Sequence, residues 1–100
     1  MAKVYNSSYT RVGEVESSGK VYDASYTKVG EVDSSGKVYD SYYSRIGEVN
    51  ADGKIYNSRY SRVGEVETSG KVYDSSYRKA GEVDGGTIFQ MGGAALLLLL

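Results

Sequence analysis

A constant step of 17 residues runs through this 100-residue chain. Lysine returns at Lys3, Lys20, Lys37, Lys54 and Lys71. One tyrosine series follows at Tyr5, Tyr22, Tyr39, Tyr56 and Tyr73, and a second at Tyr9, Tyr26, Tyr43, Tyr60 and Tyr77. Gly13, Gly30, Gly47, Gly64 and Gly81 keep the same step, each followed by Glu-Val. A fixed internal period means that one small unit is used repeatedly in equivalent surroundings. Whatever the unit forms must therefore pack against copies of itself.

The unit reads as paired strands. Lys20-Val21-Tyr22-Asp23 and Lys28-Val29-Gly30-Glu31-Val32 are short, rich in Val and Tyr, and bounded by Ser, Asp and Gly, which is the strand signature. The three- and four-residue apolar spacing of a helix is absent from the repeats. Asp33-Ser34-Ser35-Gly36 suits a type I turn closed by a left-handed glycine in a G1 bulge. That turn pairs Asp33 with Lys37 and Val32 with Val38. In the last unit Gly85-Gly86 suits a two-residue hairpin loop, which would pair Asp84 with Thr87 and Val83 with Ile88. Alternation of side chains along a strand then places Val15, Val32, Val49, Val66 and Val83 on the inner face. Their partners there are Val21, Val38, Ile55, Val72 and Ile88, and the repeat glycines share that face. Glu31 faces Tyr39 on the other side.

The chain is thus expected to be all-β and one repeat domain over 1–100. Its hairpins fall at about 12–23, 29–40, 46–57, 63–74 and 80–90, followed by an apolar tail, 91–100. A single hairpin is marginal alone, so the five must share a core. Linear stacks need distinct polar caps, which the end units lack, so a closed, short propeller-like ring of five petals is expected. The Lys-Val-Tyr-Asp strand occurs six times if Lys3-Val4-Tyr5-Asn6 and Thr87-Ile88-Phe89-Gln90 both count, against five Val-Gly-Glu-Val strands, with Ala80-Gly81-Glu82-Val83 in the last unit. One terminal strand is surplus, and the termini are expected to meet and overlap at a seam.

The repeated Lys-Val-Tyr-Asp…Val-Gly-Glu-Val…Ser-Gly unit, with the Gly92-Gly93-Ala94-Ala95-Leu96 tail, resembles the five-fold β-flower family of small bacterial repeat proteins. The resemblance covers nearly the whole chain. It implies five hairpin petals and brings neither an established activity nor functional residues.

Composition narrows function by exclusion. A net charge of −1 gives no electrostatic footprint for nucleic acid. The chain has no His and no Cys, and no Ser is paired with a convincing base, so no enzyme activity, cofactor or metal site is expected. A carboxylate ring of Glu14, Glu31, Glu48, Glu65 and Glu82 could in principle attract calcium. Local pairing with Arg11, Lys28, Arg45, Arg62 and Lys79 is the expected alternative. Asn50-Ala51-Asp52-Gly53 resembles the start of a calcium loop, but Ser61 stands where the closing Glu belongs. It reads as a turn. Asn6-Ser7-Ser8 fits a glycosylation sequon, but no secretion signal accompanies it, and a cytoplasmic location is expected.

The Tyr9, Tyr26, Tyr43, Tyr60 and Tyr77 series falls in loops and is the candidate ligand-binding set, as stacking platforms for a glycan or a peptide. Packing between petals is the competing role. The tail, Ala94-Ala95-Leu96-Leu97-Leu98-Leu99-Leu100, is far shorter than the roughly 20 residues of a membrane span. It could cap the open end of the core, plug the centre or meet another subunit; capping the ring is expected, with contact to a second copy or another protein through Leu96–Leu100 as the next reading. Two functions follow: a non-enzymatic structural or protein-interaction module, or a multivalent carbohydrate or peptide binder.

Overall fold

The computed structural model covers residues 1–100 and forms a disc of 29 × 29 × 18 Å. Ten strands build it: β1 (Ala2–Asn6), β2 (Arg11–Val15), β3 (Lys20–Asp23), β4 (Lys28–Val32), β5 (Lys37–Asp40), β6 (Arg45–Val49), β7 (Lys54–Asn57), β8 (Arg62–Val66), β9 (Lys71–Asp74) and β10 (Lys79–Val83). They pair antiparallel in chain order and close on themselves, with β1 between β2 and β10. One helix follows, α1 (Ile88–Leu98).

The expected register is present in the four complete repeats. Val15 faces Val21, Val32 faces Val38, Val49 faces Ile55 and Val66 faces Val72. Glu31 faces Tyr39, and Asp33 donates its backbone N–H to the Lys37 carbonyl. Each strand gives the interior one β-branched residue, from Val4 in β1 to Val83 in β10, and all ten are at most 4% exposed.

The fifth hairpin, 80–90, is a correction. Val83 pairs with Val4, not Ile88, and Ile88 begins a helix. The strand that fills the ring is β1, so no terminal strand overlaps another. With β1 hydrogen-bonded along β10, the second copy of the motif has no edge left to pair with. Gly85-Gly86 therefore leads into a helix instead of turning a hairpin. Thr87 caps that helix: its hydroxyl accepts from the Gln90 N–H, and the Gln90 side chain accepts from the Thr87 N–H. This reciprocal pair is a capping box. The seam copies a turn without a covalent link. Asp84 donates its N–H to the Lys3 carbonyl, and its carboxylate accepts the Lys3 N–H at 2.6 Å, much as Asp33 bonds Lys37 within a turn.

The tail runs through the ring. A helix of 11 residues is about 16 Å long, close to the 18 Å thickness of the disc. Its sequence inverts the sizes of the wall. Where the wall carries Val, the helix carries Gly92, Gly93, Ala94 and Ala95, all buried. A Cβ on Gly92 would lie 2.6 Å from a Val49 methyl, and one on Gly93 would lie 2.6 Å from the Val32 Cβ. Where the wall carries glycine, the helix carries leucine. Leu96, Leu97, Leu98, Leu99 and Leu100 sit in turn against Gly47, Gly30, Gly13, Gly81 and Gly64. One leucine thus serves each repeat. An α-helix advances about 100° per residue and a five-fold ring about 72°. Flexible leucine side chains absorb the difference, and the Leu100 N–H reaches back five residues to the Ala95 carbonyl, widening the last turn.

Candidate functional site

The ring has two rims, and the same turn is built on both. On one rim the turns joining β2–β3, β4–β5, β6–β7 and β8–β9 each end in a glycine at positive φ: Gly19, Gly36, Gly53 and Gly70, at 92° to 96°. Gly19 donates its N–H to the Glu16 carbonyl, and Glu16 donates to Lys20. On the other rim the loops Asn6–Thr10, Asp23–Thr27, Asp40–Ser44, Asn57–Ser61 and Asp74–Arg78 have the same bonds. Tyr26 donates to Asp23, and Asp23 to Thr27. The left-handed position there is held by Tyr9, Tyr26, Tyr43, Tyr60 and Tyr77, at φ of 62° to 64°. A non-glycine residue in this conformation costs about 1–2 kcal/mol.

Each loop is fixed by its leading Asn or Asp. The Asp23 carboxylate accepts the N–H of Ser25 at 2.8 Å and of Thr27 at 3.1 Å, and Asn6, Asp40, Asn57 and Asp74 act alike. Such Asx turns tolerate the left-handed residue that follows. A bulge in each of these hairpins, as between Val21 and Tyr22, adds local twist. It also lets Val12, Val29, Ile46, Val63 and Ala80 pack against the core.

The five tyrosines are 63–66% exposed. One face of each ring is taken by a cation from the preceding repeat: Arg11 over Tyr26, Lys28 over Tyr43, Arg45 over Tyr60, Arg62 over Tyr77, and Lys79 over Tyr9 across the seam, at 4.8–5.2 Å. The hydroxyls of Tyr43, Tyr60 and Tyr9 also accept a hydrogen bond from their cation. Arg11 and Arg62 instead donate to the carbonyls of Ala24 and Ser75 in the neighbouring loop.

The same cations pair with the repeat glutamates, as the spacing suggested. Lys28–Glu31, Arg45–Glu48, Arg62–Glu65 and Lys79–Glu82 lie at 2.7–3.5 Å, and Arg11–Glu14 at 4.0 Å. Each carboxylate is thus held beside its own cation. Hydrogen bonds with Glu31 and then Tyr43 raise Lys28 above the ordinary lysine range. Those with Tyr9 and then Glu82 raise Lys79, and Lys79 in turn lowers Glu82. Unit one departs from the others: Glu14 is buried, and Arg11 Nη1 is buried without a hydrogen bond.

The structure brings the five predicted tyrosines onto one rim. Sequence reasoning missed the cation on each ring and the strain beneath it. The signal was present, since Asp33-Ser34-Ser35-Gly36-Lys37 and Asp74-Ser75-Ser76-Tyr77-Arg78 are one turn pattern with Gly exchanged for Tyr. Two open cavities, of about 310 and 200 Å³, lie at the opposite rim on either side of Gln90. The Gln90 amide donates to the Ser17 carbonyl between them. No helix is long and apolar enough to cross a membrane.

An antiparallel ring of ten short strands, built from one recurring unit and filled by its own C-terminal helix, defines a class of closed repeat proteins. A family profile described as 5-fold beta-flower protein matches residues 1–97, and the chain belongs to that family. No curated protein and no solved structure matches it.

Proposed function

We propose that this protein is a non-enzymatic interaction module, built from five equivalent petals, that engages its target through the tyrosine rim. One observation carries the reading. The same turn is made nine times, and glycine takes the strained position on one rim while tyrosine takes it on the other. At Tyr26 and Tyr77, whose hydroxyls take no bond from the cation, the contact returns about 0.5–1 kcal/mol, less than the strain of about 1–2 kcal/mol. A retained, repeated backbone outlier supports a role for the side chain beyond stability. Five equivalent positions favour multivalent binding over a single asymmetric catalytic centre.

Leu96–Leu100 are a weaker candidate for partner contact. Leu96–Leu99 are half-buried against the wall and only Leu100, at 38% exposed, is offered outward. The test compares the natural chain with one carrying all five Tyr→Gly changes, which keep the turn. Both are passed over glycan and peptide arrays, with light scattering for self-association. Binding or self-association lost with the tyrosines is the expected result. Interactions that survive the five changes would place the working surface elsewhere.

A further inference from the structure

Resting on the tyrosine rim as the working surface, we infer its ligand class: a neutral, hydroxyl-rich polymer of repeating sugar rings. Four features of the rim converge on that chemistry.

The first is charge. Every cation beside a tyrosine is matched by its own glutamate at 4.0 Å or less. The five loops add only Asp23, Asp40 and Asp74 against Arg59 and Arg78, and each of those Asp carboxylates already accepts two backbone N–H groups. Three loop carboxylates against two guanidiniums leave a net −1 spread over five loops, too weak and dispersed a field to select an anionic or cationic ligand.

The second is the hydrogen-bonding sense of the phenol. Where Lys28 and Arg45 donate to Tyr43 and Tyr60, the phenolic proton is directed elsewhere and is available to an acceptor, whereas the Tyr9 hydroxyl already bonds Glu82. With a cation over one face, each tyrosine offers its other face, and Tyr43 and Tyr60 a directed hydroxyl donor as well. An apolar face beside polar groups is what a sugar ring presents in return.

The third is the absence of a strand edge. The ten strands form a closed ring, so an extended peptide cannot add to the sheet. The tyrosines stand on separate loop tips, whereas a proline-rich peptide lies along a continuous aromatic groove. The fourth is repetition. Five like sites are served by a ligand that repeats, and one weak contact per site is multiplied when several engage together.

The experiment is a depletion assay of the full chain on insoluble cellulose and chitin. Soluble glucose and N-acetylglucosamine are titrated in parallel by NMR. The variants replace one, two, three or all five of Tyr9, Tyr26, Tyr43, Tyr60 and Tyr77 by Gly. A second series uses Asn, which also accepts positive φ, and thermal melts confirm that the variants fold. At least one polymer is expected to retain the natural chain. The free sugars should bind at least about 100-fold more weakly, as multivalency of this kind gives 10²–10⁴. Retention should fall stepwise as tyrosines are removed, in both series. Retention unchanged in the five-tyrosine variants overturns the inference. So does failure of both polymers to retain the natural chain. If, in that case, tyrosine-dependent binding of a proline-rich peptide or self-association is found, the rim stands as the working surface and only its ligand class is wrong. If no interaction depends on the tyrosines, the rim reading falls as well.

Discussion

At the scale of single residues, a left-handed tyrosine and a left-handed glycine solve the same turn under different crowding. A Cβ at Gly36 would meet the Val49 carbonyl, and would come within 2.8 Å of the Phe89 ring. Tyr26 stands 63% exposed and meets no such wall. Tyr26→Gly should therefore leave stability within about 1 kcal/mol of the natural chain or raise it slightly, because relieved strain of about 1–2 kcal/mol outweighs a cation contact of about 0.5–1 kcal/mol. Tyr26→Val, β-branched at positive φ, should destabilise instead. Urea unfolding of the two variants checks both signs. The positions of these tyrosines were legible in the 17-residue step. Their backbone conformation was not, because Asp-Ser-Ser-Tyr lacks the glycine that announces a G1 bulge.

The ionisable groups set a pH window at the same scale. Burial pushes Asp33 up, but hydrogen bonds from Ser35 and Lys37 outweigh it and bring the carboxyl below its ordinary 3.8. The Lys54 N–H lowers Asp52, and Lys79 lowers Glu82. Carboxyls depressed by folding stabilise above their unfolded values, and that stabilisation is lost as pH falls through the folded ones. Lys28 and Lys79, raised by their partners, stabilise fully below the ordinary 10.5 and lose that contribution as pH rises through their folded values. The chain has no His or Cys to titrate between. The melting temperature should be nearly flat from about pH 6 to 9 and decline on both sides. A step near pH 6.5 in a pH series of melts would contradict this assignment.

At the scale of elements, the helix is where local pattern and long-range pairing competed. Thr87-Ile88-Phe89-Gln90 aligns with Lys-Val-Tyr-Asp and was expected to be a strand, yet Thr-x-x-Gln is also a capping box. Pairing decided the outcome, since β1 takes the β10 edge. Only the first strand is tied by a five-residue tyrosine loop to the ring it must close, whereas the second could equally leave as a helix. Thr87→Ala should cost about 0.5–2 kcal/mol, as loss of a helix N-cap does. Gly93→Ala discriminates more sharply. Alanine is the better helix former by about 1 kcal/mol, but the added methyl is driven into Val32, and overpacking costs about 1–3 kcal/mol. A lower unfolding midpoint is expected for Gly93→Ala. A higher one would mean that the ring is wide enough there to admit a methyl, against the size inversion between wall and helix.

At the scale of the whole molecule, ring closure and helix filling depend on each other. The five tyrosine hairpins are complete, but the glycine rim has four turns and a non-covalent seam held by Asp84 and Lys3. A ring open at that seam would expose ten β-branched residues that the helix and closure bury. The sequence made the wall legible because alternation repeats five times. It left the tail open between capping the ring, plugging its centre and assembly, because a short leucine run carries no period of its own. Its match to five wall glycines exists only in three dimensions. Truncation after Ala95 removes all five leucines and leaves each wall glycine facing a void. A fully buried leucine contributes about 1.5–3 kcal/mol. These are half-buried at best, and five together still forfeit several kcal/mol, against a typical domain stability of about 5–15 kcal/mol. The truncated chain should melt far below the natural one or fail to close, read by thermal unfolding together with light scattering. Leu100→Ala, at the most exposed of the five positions, should shift the melt least and Leu97→Ala more. Equal melting of the truncated and natural chains, with equal mass in solution, would show that the leucines neither fill the ring nor join it to another.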